Sequence, residues 1–534
     1  MTDVAPRRPG GADGPGPSGR GATDPDPTRW RALGVCLVVG FMTLLDVSIV
    51  NVALPSIEDS LGAGPSQVQW IVAGYALAFG LVLVPAGRFG DLYSRRTVFA
   101  VGLAGFVLTS AAAGLVQSAT ALALVRLLQG VTAGLVNPQV LAFIQQLFTG
   151  AERGRAFAAF GTTVGLSTAI GPLLGGVILQ VFGEEHGWRG VFLINVPIGA
   201  VLLPLAWRWL PAQRRSQGRR PGFDVPGLLL LAAAVLLLML PFVLTSASSA
   251  RWWLLAPGLV LLVAFALWER HQDRLDRNPV IAVSLVRTPS FTTGALIGMT
   301  YFAGFTGIFL VVTLYLQSGL GFSPLQAGLV QTPFALASAV LAQVGGRQVA
   351  GRGRAVVVVG LLVAAVGLTA ADVVTAVVQG TAGAVALAAC LGVTGVGSGL
   401  VISPNQTLTL ADVPRSTSGV AGGALQTGQR IGSAMGVAAV TAVFYSVLAS
   451  SGLSGQRPAG AGGEVPEQVQ TAFGEALSGG LRVSLGLVVA ALVLALLDLR
   501  RRRSADGAPE HPGRAGEPGG RHGGEHVRAP RHRG

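Results

Sequence analysis

Stretches of apolar residues long enough to cross a bilayer recur along almost the whole of this 534-residue chain. They fall approximately at 33–54, 68–88, 97–116, 119–141, 156–180, 191–210, 225–246, 252–268, 291–314, 324–344, 355–378, 382–403, 420–448 and 481–499. A hydrocarbon layer about 30 Å thick takes roughly 20 residues of helix to cross, so the pattern predicts about fourteen transmembrane helices. Inside lipid only helices and closed barrels satisfy their own backbone, and runs this long with no period-two alternation are helices. The expected fold class is all-α, a polytopic membrane protein.

Charge sets the orientation and removes several functions. The formal charge is +13, a value that invites a nucleic-acid reading, but the arginines sit in alternate loops: Arg88, Arg95 and Arg96, then Arg153 and Arg155, then Arg208 to Arg220, and so on to Arg500 to Arg503. The intervening loops are acidic or neutral, as at Glu58, Asp59, Glu184 and Glu185. This is the positive-inside pattern, and it predicts both termini in the cytoplasm of a multi-pass protein with lipid and not nucleic acid around it; the lysine-free, Ala/Gly/Arg-rich composition adds the expectation of a bacterial plasma membrane. All 38 basic residues are arginine, so there is no lysine for a phosphate-binding Walker A loop, and no ATP is expected as partner. Cys36 and Cys390 lie far apart in separate runs and read as packing residues. His186, His271, His511, His522, His526 and His532 all lie outside the runs, which excludes a buried histidine relay. No metal and no cofactor are expected.

Residues 1–30 and 501–534 are rich in Pro, Gly and Arg and are expected to be disordered cytoplasmic tails. No short apolar core with a small-residue cleavage site precedes the first run, so no removable signal peptide is expected. Between the tails an internal repeat is visible. Gly130 and Gly134 recur at the same spacing as Gly395 and Gly399, each pair is followed shortly by a proline, Pro138 and Pro404, and the offset also carries Gly171 onto Gly436. Repeated halves are how many transporters place two bundles about a central site. The organisation expected is a six-helix bundle over 31–210, a link over 211–290 holding two inserted helices, and a second six-helix bundle over 291–500 with an external loop at 449–480.

Arg126 lies within an otherwise apolar run, and an arginine at bilayer depth costs roughly 2.5 kcal/mol or more without a partner. Asp46 supplies one. It sits at a comparable distance from the same membrane face, about 11–12 Å by helix rise. Asp46 and Asp372 are the carboxylates expected at depth, Asp372 close to an end of its run. A proton-driven carrier needs a carboxylate that alternates between neutral and charged, favoured in the first state by desolvation and in the second by a neighbouring cation. A structural ion pair is the plainer alternative.

Other motifs add to this. In GRFGDLYSRR, residues 87–96, Gly87 and Gly90 allow close approach, and Asp91 with Arg95 and Arg96 can bridge the halves. An acid there is unexpected from the positive-inside rule alone. In GPLLGG, residues 171–176, Gly171, Pro172, Gly175 and Gly176 follow Gly165 and permit close helix crossing. Tyr301, Phe302, Phe305, Phe309, Tyr315 and Phe334 offer rings, and Gln331, Gln343, Asn405, Gln406 and Gln426 offer polar groups, for a central cavity. From these, Tyr301, Phe305, Gln331, Asn405 and Gln426 are the candidate cavity residues.

Together with LDVSIVNVALP (45–55), RLLQGVTAG (126–134), FLINVPIG (192–199) and YLQSGLGFSPLQAGL (315–329), these motifs resemble the major facilitator superfamily, in its fourteen-helix drug:proton antiporter branch. The resemblance implies that Gly87, Asp91, Arg95 and Arg96 hold a cytoplasmic gate closed. It further implies that the 171–176 motif marks export by antiport and that Asp46 and Arg126 couple transport to protons. Leu92 and Ser94 depart from the family's usual basic residue and glycine. The function expected is a proton-coupled antiporter that exports small amphipathic molecules by alternating access, not an enzyme. Export of a lipid or a self-made metabolite, and a transport-dead membrane sensor, are the other readings.

Overall fold

The computed structural model describes residues 28–506 apart from 213–223, 244–248, 276, 278, 379 and 453–464. Of the tails expected over 1–30 and 501–534, residues 1–27 and 507–534 lie outside the described residues, as do most of the arginine-rich part of the link and the middle of the 449–480 loop, whereas 28–30 open the first helix and 501–506 end the last one. The described chain forms α1 Thr28–Leu61, α2 Pro65–Phe89, α3 Arg95–Leu115, α4 Ala119–Leu147, α5 Gly150–Phe182, α6 Glu184–Leu193, α7 Asn195–Trp209 and α8 Val225–Val243. It continues with α9 Leu255–Arg274, α10 Val283–Arg287, α11 Pro289–Leu314, α12 Pro324–Arg352, α13 Arg354–Val377, α14 Gly380–Thr409, α15 Ser418–Ser450 and α16 Glu467–Asp506, and has no strand among the described residues.

Thirteen helical stretches are long and apolar enough to cross a membrane, but one of them, Ser66–Leu115, runs for 50 residues. A straight helix of that length would be about 75 Å, more than twice the hydrocarbon thickness. It is two crossings, because the π-helical turn Gly90–Ser94 ends in extended backbone at Ser94 (φ −166°, ψ 116°), whose hydroxyl caps α3 by accepting from the Thr97 N–H. With α6 and α7 forming one crossing, the expected fourteen are present.

Helices α1 to α7 pack as one bundle, α2 and α3 on α4 and α1 on α5; helices α11 to α16 repeat this, with α12 and α13 on α14 and α11 on α15. The glycines explain why the repeat persists. A Cβ on Gly130 or Gly134 of α4 would meet the backbone oxygens of Tyr75 and Phe79 in α2 at 2.3 and 2.9 Å; on Gly395 or Gly399 of α14 it would meet those of Phe334 and Ser338 in α12 at 2.2 and 2.4 Å. Gly171 sits in the same way on Ser48 of α1, and Gly436 on the Ala303 oxygen of α11. Lipid supplies no hydrophobic drive between helices, so close backbone approach at small residues carries association. The bundles meet each other along α5–α12 and α2–α15, and the inserted pair α8 and α9 leans on α2 and α15 through α8.

One stretch departs from expectation. The second half of the 449–480 loop is helix, since α16 begins at Glu467. Ala472, Ala476, Leu477 and Leu481 are all buried there, and the Phe473 ring lies 6.0 Å from that of Phe444 in α15. Glu467 and Glu475 occupy the exposed face of this amphipathic start. The helical period is carried partly by small residues, which is why acids and glycines make it look like loop.

Candidate functional site

Asp46 of α1 and Arg126 of α4 form an ion pair in which each residue is 1% exposed. Arg126 Nη1 donates to Asp46 Oδ2, and the other carboxylate oxygen accepts from Gln129 Nε2 and Asn195 Nδ2, both at 3.1 Å. Arg126 also donates to the Ile71 carbonyl (3.0 Å) and to Gln129 Oε1 (2.8 Å), while Gln129 donates to Ser110 Oγ (2.8 Å). The guanidinium lies over the Tyr75 ring at 4.3 Å. Helices α1, α2, α3, α4 and α7 each contribute a partner, so the pair sits inside the N-terminal bundle and not on the face between bundles. Burying two charges is tolerable when the remaining lone pairs and protons are satisfied, and here three donors converge on one carboxylate. Gln129 and Asn195 are absent from the expected site. Gln129 was legible as the residue one turn from Arg126 on the same face; Ser110 carried no signal.

At the arginine-rich end of the helices the motif 87–96 joins the two bundles. Asp91 Oδ1 and Oδ2 accept from the backbone N–H groups of Gly419 (3.1 Å) and Val420 (2.9 Å), at the N-terminus of α15. A carboxylate at a helix N-terminus satisfies orphan donors and meets the positive end of the dipole. Arg95 donates to Asp91 (2.8 Å), to the Arg415 carbonyl (2.6 Å) and to Gln146 (3.0 Å). A Cβ on Gly87 would lie 2.2 Å from the Gly419 oxygen, so only glycine allows this approach. Arg96 is not part of the bridge: its guanidinium stacks 4.2 Å over Trp207 of α7, because one residue along a helix is about 100° around it. Nearby, Gln145 of α4 donates to the Leu410 carbonyl (3.0 Å) beyond α14, and Leu141 packs against Gly422.

The 171–176 motif faces two ways. Gly171 and Gly175 press on Ser48, Ile49 and Val52 of α1; Gly165 faces the Ala335 oxygen of α12, and Pro172 lies against Gly328 of α12. Gly176 has nothing within 4 Å of a Cβ. Thr162 of α5 bridges to α12, donating to the Ala339 carbonyl and accepting from Gln343.

The candidate cavity residues do not form one group. Tyr301 is buried and stacks on Phe305 (5.6 Å), which packs in turn on Phe334. Gln331 donates to Thr313 within the C-terminal bundle. Asn405 belongs to a second buried charge network, accepting from Arg354 and donating to the Gly294 carbonyl. Arg354 there pairs with Asp498 of α16 at 2.7 Å, 1% and 5% exposed in their side chains. Asp498 and Glu269, the latter 4% exposed and bonded to the Ile281 N–H, are carboxylates that the expectation of Asp46 and Asp372 alone overlooks. Glu269 stands one residue past its apolar run and Asp498 at the last turn of its own. Asp372 pairs with the largely exposed Arg482, beside a cavity of about 430 Å³ lined by Tyr315, Thr375, Gln470, Glu475 and Ser478. Gln426 is buried on α15, and one turn on stands Arg430, its guanidinium 4.7 Å over the Phe79 ring of α2. Arg430 carries the signal that singled out Arg126, a cation inside an apolar run, yet it is not among the expected residues.

The sequence model of the Major Facilitator Superfamily matches residues 36–437. The chain is 36% identical to a "Probable actinorhodin transporter" of Streptomyces coelicolor over 82% of this chain and 76% of that protein. It is 35% identical to the "Puromycin resistance protein pur8" of Streptomyces alboniger over 80% and 84%, and 31% identical to the "Tetracenomycin C resistance and export protein" of Streptomyces glaucescens over 79% and 76%. Among solved structures, the proton:xylose symporter XylE superposes with a TM-score of 0.60 at 13% identity, covering 89% of this chain and 96% of that one. The fold repeats that of solved transporters, and the sequence runs with antibiotic-resistance relatives over four-fifths of its length. The chain belongs to the major facilitator superfamily, in its fourteen-helix drug-efflux branch, and is a transporter, not an enzyme.

Proposed function

We propose that this protein exports a small amphipathic molecule from a bacterial cell in exchange for protons, by alternating access between its two bundles. The observation that carries the proton-coupling part is the Asp46–Arg126 network: a carboxylate at bilayer depth, held by three donors and lined by five helices of one bundle. A proton arriving at Asp46 removes the counter-charge of a guanidinium that has no other carboxylate in the network. The bonds that fix α1 against α4 and α7 then rearrange, and the packing of α1 on α5 carries the change to the inter-bundle face. We assign the bridge from Asp91 and Arg95 to Gly419, Val420 and Arg415 as a closed cytoplasmic gate, a reading supported by the arginine-rich loops at this end, and on it both termini are cytoplasmic. Relatives named for actinorhodin, puromycin and tetracenomycin C favour an antibiotic-like cargo.

The test is exchange in inverted membrane vesicles, following a fluorescent substrate and lumenal pH together. The native chain is expected to accumulate substrate as protons leave, and Asp46→Asn to do neither. Normal exchange by Asp46→Asn, with the protein correctly inserted, makes Asp46 a structural residue and moves coupling elsewhere.

A further inference from the structure

We propose that Arg430 is an anion-binding residue of the transport path, so that the cargo of this exporter is an amphipathic organic acid carried as its anion. The proposal rests on the export reading above and deepens it to a substrate class. Arg430 is the thirteenth residue of α15, about 18 Å from the arginine-rich end by helix rise and so near mid-membrane. Other arginines of the described core are matched to their surroundings. Arg126 has Asp46, Gln129 and the Ile71 carbonyl; Arg354 has Asp498, Asn405 and the Ser290 carbonyl; Arg95 has Asp91, Gln146 and the Arg415 carbonyl. Arg430 has the face of Phe79 at 4.7 Å and, among the described residues, neither a carboxylate nor a hydrogen-bond acceptor. A ring face stabilises a cation but leaves its five N–H groups unmet.

Arg430 stands at the seam between the bundles, on α15 of one and over Phe79 of α2 in the other. On α15, Gly419 and Gly423 lie on the backbone of α2, and Gly432 and Gly436 lie on α11. The Arg430 stem passes Gly80 of α2, where Met239 of the inserted helix α8 closes the outer side. Phe79 stacks parallel to Tyr75 (6.1 Å, 15°), whose hydroxyl donates to the Thr43 carbonyl of α1, so the ring under Arg430 faces the interior. Gln426, one turn earlier, and Gln429 beside it also make no hydrogen bond to the described residues. A fork of donors with an amide at helical i,i+4 spacing, on an aromatic floor, suits a carboxylate or an acidic phenolate on a flat apolar body. A permanent protein carboxylate in its place would compete with such a cargo. A structural role predicts the satisfied fork seen at Arg95 and Arg126, which Arg430 lacks.

The experiment compares two probes of nearly equal shape, 9-anthracenecarboxylate and 9-anthracenemethanol, and the larger ethidium as a cationic aromatic, with the purified full chain in nanodiscs. Binding is read by fluorescence for the native protein, Arg430→Gln and Arg430→Lys. Expected are carboxylate binding weakened at least about tenfold in Arg430→Gln, from loss of charge-assisted hydrogen bonds, and binding of the alcohol changed by less than about twofold. Arg430→Lys recovers part of the loss, which also shows that the site is folded. Unchanged carboxylate binding in Arg430→Gln overturns the proposal, as does equal loss for carboxylate and alcohol, or a native protein that binds ethidium and not the carboxylate. Transport of the same probes into proteoliposomes under a pH gradient is measured separately. If the native protein moves none of them, proton-driven export fails, while the binding ratios still decide the role of Arg430.

Discussion

At the scale of single residues, three arginines within the helices show two solutions to one physical problem. Arg126 is neutralised by Asp46 within a closed network, Arg354 by Asp498, and Arg430 rests on a ring. The first makes a prediction that separates structure from coupling. Asp46→Asn leaves Arg126 buried without its counter-ion and is expected to destabilise the protein by about 3–5 kcal/mol, whereas Asp46→Asn combined with Arg126→Gln leaves no uncompensated charge and regains most of that loss. Thermal unfolding in detergent checks the stability, and vesicle exchange checks that the stable double variant still moves no protons. Recovery of exchange in the double variant would remove Asp46 from the coupling mechanism. Asp46 and Arg126 were legible because charge in an apolar run is costly wherever the run goes. Asp498 and Glu269 were not, because they sit at the margins of runs, where sequence cannot tell a solvated acid from a buried one.

At the scale of elements, helix contacts are written in glycine, and the structure ranks glycines that look alike in sequence. In the 171–176 motif a Cβ on Gly171 would lie 1.9 Å from Ser48 Oγ and 3.1 Å from the Ile49 nitrogen, while on Gly176 it would meet nothing. Gly171→Ala is therefore expected to impair transport severely by parting α1 from α5, and Gly176→Ala to be neutral or to gain up to about 1 kcal/mol from helix propensity. Growth in the presence of an exported drug, with expression checked by blot, distinguishes them; equal behaviour would mean that the motif works by something other than α1–α5 packing. The same contrast holds on α15. Gly436→Ala brings a Cβ to 1.8 Å from the Ala303 oxygen and is expected to lower the unfolding temperature by several degrees, and Gly428→Ala, in open space, to leave it unchanged or raised. The start of α16 shows the limit of reading elements by hydropathy. Small buried residues such as Ala472 and Ala476 hold a face that acids on the opposite side conceal.

At the scale of the whole molecule, two bundles related by an internal repeat meet through unlike contacts. Gly87 on α2 approaches the Gly419 oxygen of α15, and its repeat mate Gly346 on α12 approaches the Gly154 oxygen of α5. Asp91 caps α15 beside the first contact, but the equivalent position beside the second is Ala350, so the charged latch exists on one side only. Asp91→Asn keeps the shape of the cap and removes its charge, a loss of about 1.5–3 kcal/mol for charge-assisted bonds. It is expected to shift the population away from closure at the arginine-rich end. Cross-linking between Gln146→Cys and Arg415→Cys, in a chain with Cys36 and Cys390 replaced, should fall in yield; an unchanged yield would show that packing of Gly87 on Gly419 closes this end unaided.

From the order of residues alone it follows that the chain is a bundle of fourteen lipid-crossing helices in two related halves, and that Asp46 and Arg126 require each other. Those conclusions follow from the cost of exposing backbone or charge to hydrocarbon, which is local and applies to any arrangement of helices. Helix packing, by contrast, sets the Asp46–Arg126 pair within one bundle, sends Arg95 and not Arg96 across to the other, gives Asn405 to Arg354, and leaves Arg430 without a counter-charge among the described residues. These depend on which face of each helix meets which neighbour. In a membrane, helix faces that are all apolar carry almost no pattern from which to read that choice.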